Sequence, residues 1–221
     1  MLPLLIGLGS WQVERLHWKE ELVATIIARI HQDPVDIASL AVDEADYHPA
    51  TGSGTFLNDK SFYLLAISLT GEGGYHVLTP LHLEDGQFLL VDRGWIPYDM
   101  RGKNYARPSD VVRIAGVARI PQYHRIRSQN DPEGNNWYQI DMDMMATRAG
   151  VPAFLPYILE ADAAPNEGGY PVGGQTRLTL PNNHLSYAVT WYGLALVLIV
   201  IYSLSSYRKN AAHLKAPKTE A

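Results

Sequence analysis

The segment YAVTWYGLALVLIVIYSL, Tyr187 to Leu204, decides the architecture of this chain. Residues 185–207 carry no charged side chain. A helix that crosses a bilayer needs about 20 such residues at a rise of 1.5 Å each. A core helix of this length would normally carry a polar stripe, and here only scattered Ser, Thr and Tyr hydroxyls occur. The segment therefore predicts a membrane-spanning helix over residues 184–207.

The charges around this helix predict its orientation. The tail, residues 208–221, carries +3, whereas residues 1–207 carry −8. Basic flanks stay on the cytoplasmic side of a membrane, or on the matrix side in a mitochondrion. We therefore expect residues 14–183 to form one extracytoplasmic domain, whose acidic character argues against nucleic acid as a partner.

The N-terminal segment MLPLLIGLGSWQV, residues 1–13, is apolar but short. It amounts to about 20 Å of helix against a hydrocarbon core of about 30 Å. It has no basic region and no small-residue cleavage site, so it is a poor signal peptide. We interpret it as the end of a first transmembrane helix that is short or truncated, with a buried interfacial segment as the alternative.

Residues 14–183 show mixed helix and strand patterns. Helical spacing predicts a helix over Glu14–His31, and Met142–Ala149 is predicted as a short helix capped by Asp141 or Asp143. Short apolar runs separated by turn residues predict six strands: Gly52–Leu57, Phe62–Leu69, Tyr75–Leu83, Gln87–Ile96, Val111–Ile120 and Phe154–Glu160. No long helices separate them, so we expect an α+β membrane protein with an antiparallel, barrel-like sheet.

Aromatic and basic residues gather where the first apolar segment ends. Trp11, Arg15 and Trp18 are spaced so that they share one helix face, with Gln12 beside them. Such tryptophans anchor a helix at a bilayer surface, and an arginine between them can stack on an indole or bind lipid phosphate. We interpret these residues either as an aromatic belt that fixes the depth of the helix in the membrane or as a docking face for another membrane protein.

Asp92-Arg93-Gly94-Trp95 closes the most apolar strand. We expect Arg93 to satisfy a carboxylate or carbonyls, Gly94 to permit a bulge and Trp95 to fill the core. A partner-binding role for Arg93 and Trp95 is the sharper alternative.

His184 lies at the extracytoplasmic mouth of the C-terminal helix, after two asparagines that could cap it. Its helix face continues through Ala188, Trp191 and Ala195, where small residues would let a flat ring or a second helix approach. An imidazole can ligate haem iron, and a hydrogen bond to lipid or to a loop is the alternative. The other histidines form no cluster, since His76 and His82 are too far apart along a strand. The chain has no cysteines, which excludes thiolate metal sites and a cysteine nucleophile.

The motifs, taken in order, resemble the surfeit locus protein 1 family over nearly the whole chain. They are Gly9-Ser-Trp-Gln-Val-Glu-Arg-Leu-His-Trp-Lys19, Gly54-Thr-Phe56, Gly74-Tyr-His-Val-Leu-Thr-Pro80, Val91-Asp-Arg-Gly-Trp-Ile-Pro97, Asn130-Asp-Pro132, Trp137-Tyr138 and Asn182-Asn-His-Leu-Ser-Tyr-Ala-Val-Thr-Trp-Tyr192.

The resemblance implies an inner-membrane assembly factor for haem-copper oxidases, chiefly cytochrome c oxidase. It implies two transmembrane helices around one domain and a role in bringing haem a to the oxidase catalytic subunit, with haem a synthase as a further partner. The histidine at the head of the second helix, His184 here, would be the haem-iron ligand, with Trp11, Trp18 and Trp191 as apolar neighbours. Gln12, Arg15, Arg93 and Trp95 would contact partners.

The sequence contains no recognisable acid/base or metal constellation, so we expect no enzymatic activity, and a cofactor-free scaffold is the alternative function. The lack of a mitochondrial presequence favours a multi-pass protein of a bacterial inner membrane over a mitochondrial one.

Overall fold

The computed structural model describes residues 1–103, 105–122, 129–177 and 182–215, with only the backbone of Glu167 and of residues 209–215. The chain divides into two compact units. The first comprises Met1–Thr25 and Thr179–Ala221, and the second comprises Ile26–Leu178. The elements in chain order are α1 (Leu2–Ile30), β1 (Val35–Asp36), β2 (His48–Phe56), β3 (Phe62–Ile67), β4 (Gly73–Leu83), β5 (Phe88–Pro97), β6 (Val111–Arg119), β7 (Asn136–Trp137), α2 (Met142–Ala149), β8 (Ile158–Ala161) and α3 (His184–Lys215).

The second unit is built on one eight-stranded sheet, with strand order β1-β2-β6-β8-β5-β4-β3-β7. A further pairing of β2 with β4 closes β2, β6, β8, β5 and β4 into a ring, so the barrel-like prediction is confirmed. The long strand β4 makes this possible, because its first half pairs with β3 and its end pairs with β2. The pairings β1–β2, β3–β7 and β5–β8 are parallel, so the sheet is mixed where the sequence predicted an antiparallel one.

The strands alternate between two apolar layers. One buried cluster includes Leu89, Val91 and Leu159. The residues between them point the other way, and Leu90 and Ile158 join Phe62, Leu78, Trp137 and Met145 in a second cluster that includes α2 residues. Helix α2 therefore covers part of the sheet surface opposite to the first cluster.

The element predictions hold best where a local signal marks the boundary. Helix α2 has the predicted bounds, and the Asp141 side chain caps it by accepting a hydrogen bond from the Met144 N–H at 3.0 Å. Strand β8 is shorter than the predicted Phe154–Glu160, because Pro156 precedes it and can donate no ladder hydrogen bond. The two-residue strands β1 and β7 were not predicted.

The first unit contains the N-terminal part of α1 and the whole of α3. Helix α1 runs without a break through the predicted boundary at residue 13. Among the described residues, His184–Arg208 is the one helical stretch long and apolar enough to cross a membrane, and 11% of its most apolar window is buried. One candidate spanning helix is therefore found where the sequence predicted two. The end of the predicted basic tail, residues 216–221, lies outside the described residues.

Candidate functional site

His184, the first residue of α3, contacts Gln12 of α1. Its Nδ1 lies 2.7 Å from the Gln12 Oε1. An amide oxygen can only accept, so the imidazole Nδ1 donates in this contact. In a neutral ring the lone pair is then on Nε2. Histidines that ligate a metal commonly have this arrangement, in which one ring nitrogen donates a hydrogen bond and the other binds the metal. Gln12 is 9% exposed and His184 is partly buried.

A close approach of α1 and α3 holds this pair together. The Tyr192 hydroxyl lies 3.1 Å from the Ser10 Oγ, and its ring lies over Gly9, where a Cβ would come within 2.7 Å of a ring carbon. Ala188 and Ala195, about one and three turns beyond His184 on the same face of α3, are buried. Of the two roles predicted for the small residues below His184, the structure thus shows the approach of a second helix.

The three tryptophans predicted as neighbours of His184 lie on both helices and differ in exposure. Trp11 and Trp18 are about half exposed on α1, at 51% and 50%, while Trp191 is partly buried on α3. The Arg15 guanidinium stacks 4.3 Å from the Trp18 ring centroid, as the spacing predicted. This exposed aromatic and cationic surface suits either lipid headgroups or another protein, so both interpretations remain predictions.

Arg93 and Trp95 are internal residues, each 5% exposed. The Arg93 Nη2 donates to the Ala106 carbonyl at 2.6 Å, and Trp95 pairs through its backbone with Val172. Gly94 has a φ of +116° and lies opposite a register shift between β4 and β5, which is the predicted bulge. A partner could touch little of Arg93 or Trp95, so their structural interpretation fits better than partner binding.

The structure shows a polar cluster on the sheet that the sequence did not predict. His76 on β4 binds Asp92 on β5, with 2.5 Å between Nδ1 and Oδ2. Glu160 on β8 is the register partner of Asp92, and the Arg119 Nη1 on β6 lies 3.7 Å from its Oε1. These residues are the outward-facing members of apolar strands, and that alternation was the signal available in the sequence.

Burial and neighbouring charge set the proton affinity of this cluster. Burial lowers the pKa of His76, but the charge of Asp92 and its hydrogen bond outweigh that effect, so the pKa is raised above 6.5. Burial raises the pKa of the Glu160 carboxyl, and the negative charge of Asp92 adds to the rise. Both groups therefore hold protons more tightly than they would in water.

Comparison with known proteins identifies the class. The model of the SURF1 family matches residues 1–196, so the chain belongs to the SURF1 family.

Individual members give the same result. Surfeit locus protein 1 from mouse is 32% identical over 209 residues, covering 85% of this chain and 67% of the mouse protein. The human protein of that name is 32% identical over 86% of this chain and 69% of its own length. A SURF1-like protein from Monosiga brevicollis is 33% identical over 96% of this chain and 87% of its own length. These relatives are eukaryotic and lend no support to the predicted bacterial location.

Proposed function

We propose that this chain is an assembly factor for cytochrome c oxidase that holds haem a and passes it to the oxidase catalytic subunit. Membership of the SURF1 family supports the assembly role. The haem part rests on one observation, the hydrogen bond between Gln12 and His184 that leaves the imidazole Nε2 for iron.

Three residues of the helical unit, His184, Gln12 and Trp191, support haem binding. A porphyrin supplies four nitrogens to its own iron, so a single axial imidazole is enough to hold it. The Gln12 carbonyl fixes the tautomer and the ring orientation of His184, as outer partners of ligating histidines commonly do. Trp191, one helical turn below Ala188, would offer apolar contact to the macrocycle. One axial bond suits temporary custody, because release breaks a single ligation.

The proposed setting is a respiratory membrane, mitochondrial or bacterial. Helix α3 would span it, and residues 14–183, which are net acidic, would lie on the side of the membrane opposite to the basic tail. Trp11 and Trp18, half exposed, would lie at the lipid interface or against the oxidase subunit and haem a synthase.

The test is to purify the full chain from cells that make haem a and to record its absorption spectrum. We expect a haem band in the wild type and its loss in His184→Ala. His17→Ala is the matched control, because His17 is an exposed histidine of the same unit. Gln12→Leu should weaken haem retention about tenfold or more, the usual cost of losing an outer partner. A band that survives unchanged in His184→Ala removes His184 from the site.

A cofactor-free scaffold is the second candidate, favoured by the exposed surface of Arg15 and Trp18. It would stabilise an oxidase assembly intermediate without holding haem. Co-purification of oxidase subunits from cells that cannot make haem a, unaffected by His184→Ala, would favour it. Neither candidate requires catalysis, and conversion of haem o to haem a by the purified chain would contradict both.

A further inference from the structure

One end of the ring of strands in the second unit encloses a cavity of about 350 Å³. Phe56 is the last residue of β2, Ala161 is the last residue of β8 and Val112 is the second residue of β6. All three line the cavity, so it lies where these strands of the ring end or begin. Pro108 and the loop of residues 162–166 contribute to the rest of the wall. The mouth of a β-barrel is a frequent place for a small-molecule site.

Arg93 of β5 projects into this end of the ring. The apolar cluster that contains Leu89 and Val91 takes residues from all five strands of the ring, so it is the interior. Alternate residues of a strand share a face, which places Arg93 on the same side as Leu89 and Val91. Asp92 faces the other way and binds His76. The neighbouring carboxylate is therefore not available to Arg93, which lines the cavity and is 5% exposed.

The buried guanidinium of Arg93 has no carboxylate partner. In the part of the chain that the structure describes, it forms no ion pair. It donates to the Ala106 carbonyl at 2.6 Å and to the Asn58 Oδ1 at 3.4 Å, and it stacks 4.7 Å from the Phe56 ring centroid. A guanidinium has further N–H donors, which these contacts leave without an acceptor. Neutral partners offset the cost of burying a charge only in part, and an anionic guest would supply the missing charge.

The charges around Arg93 leave the cavity net positive. Arg113 and Asp162 are the other charged lining residues, and both are exposed. Two arginines and one aspartate give the lining a net charge of +1. Burial lowers the pKa of Arg93; Tyr105 partly opposes this shift, and the positive charge of Arg107 adds to it. A singly charged anion therefore matches the lining.

The rest of the lining is mostly apolar and sets the body of the guest. The apolar residues include Phe56, Pro108, Val112, Ile114, Ala161 and Ala164. An apolar cavity of about 150 Å³ holds benzene, so this volume accommodates a short aliphatic or aromatic body. A carboxylate on such a body carries one charge, whereas a phosphate group carries nearly two at neutral pH. The lining thus favours a carboxylate with an apolar body over a phosphate.

We propose that this cavity binds a small organic carboxylate, whose charged group accepts hydrogen bonds from Arg93 and whose apolar body lies between Phe56 and β6. The site lies wholly within the second unit. It involves neither His184 nor Gln12, so it stands or falls separately from the proposed function.

The test is isothermal titration calorimetry of hexanoate into the haem-free full chain in lipid nanodiscs, with empty nanodiscs as the blank. Hexanamide is the matched ligand, because it has the same length and no charge. We expect hexanoate to saturate at one per chain and hexanamide to bind about tenfold more weakly or worse, because a charge-assisted hydrogen bond is lost. Arg93→Gln should abolish this preference for the charged ligand, whereas His184→Ala should leave it unchanged.

A second variant tests the cavity without removing a buried charge. Ala164 is exposed and lines the cavity, so the indole of Ala164→Trp should occupy part of it and weaken hexanoate binding about tenfold or more. Ala153→Trp is the matched control at an exposed alanine outside the lining, and it should bind hexanoate like the wild type. Thermal unfolding of each variant separates lost binding from lost folding.

Each of four results would overturn the proposal. Hexanoate could give no saturable heat above the blank, or it could bind the wild type no more tightly than hexanamide does. A folded Ala164→Trp could bind hexanoate as tightly as Ala153→Trp. Inorganic phosphate could displace hexanoate at equal concentration, which would make the cavity a phosphate site.

Discussion

A close backbone approach at Gly94 in the second unit predicts a large cost for Gly94→Ala. Gly94 has a φ of +116°, and a Cβ there would overlap the carbonyl of Val172. That carbonyl accepts from the Trp95 N–H at 2.9 Å, and the Val172 N–H donates to the Trp95 carbonyl at 2.8 Å. An alanine would therefore strain its own backbone and push apart a bridge of two hydrogen bonds.

The magnitude follows from these two effects. A non-glycine residue in such a backbone conformation costs about 1–3 kcal/mol. Each of the two hydrogen bonds contributes about 0.5–1.5 kcal/mol. We expect Gly94→Ala to lower the free energy of unfolding by about 2–6 kcal/mol, a large part of the about 5–15 kcal/mol of a typical domain.

Gly86→Ala is the matched control, because Gly86 also has a positive φ, +87°, and a Cβ there would meet nothing within 4 Å. It should cost only the backbone strain, about 1–3 kcal/mol. Urea unfolding followed by the fluorescence of the buried Trp95 and Trp137 measures both variants. If Gly94→Ala loses no more stability than Gly86→Ala, the close approach to Val172 is not as described.

Two further predictions concern the polar cluster and the helix pair. The pKa of His76 is raised in the folded protein, so protonation of His76 stabilises the fold. This contribution is fully present below about pH 6.5 and is lost as the pH rises through the folded-state pKa, so the urea midpoint of unfolding should decrease above pH 6.5. Asp92→Asn removes the cause and should flatten that fall, and a parallel profile in both proteins would contradict the assignment. The side chain of Gly9→Leu should collide with the Tyr192 ring and separate α1 from α3. The chain has no cysteines, so one cysteine placed in each of these helices allows their disulfide cross-linking to be measured, and Gly9→Leu should lower the yield. Gly7→Leu is the control and should leave the yield unchanged, because a Cβ at Gly7 meets nothing within 4 Å.

The correct part of the sequence prediction rests on local signals. The apolar runs of β4 and β5 and the turn between them at Glu84-Asp85-Gly86 predict a hairpin from local chemistry alone. Helix α2 begins at an aspartate cap and could be bounded to the residue. A count of consecutive uncharged, mostly apolar residues is enough to predict that α3 is long enough to cross a membrane.

The missed features depend on residues far apart in the chain. Strand β7 has two residues, and only its parallel partner β3 makes it a strand. Strands β5 and β8 pair in parallel, and this pairing places Asp92 beside Glu160. No local sequence pattern indicates that the two strands are neighbours. Gln12 and His184 are 172 residues apart, so their hydrogen bond could be suspected only from the resemblance of both segments to one family.

In the proposed function, His184 would hold haem a through Nε2 while Gln12 holds Nδ1. The most direct measurement is a spectroscopic titration of haem a into the haem-free full chain in nanodiscs, for the wild type, His184→Ala and His17→Ala. We expect saturation at one haem per chain in the wild type and in His17→Ala, and no saturable spectral change in His184→Ala. A His184→Ala titration that matches the wild type in stoichiometry and spectrum would contradict it.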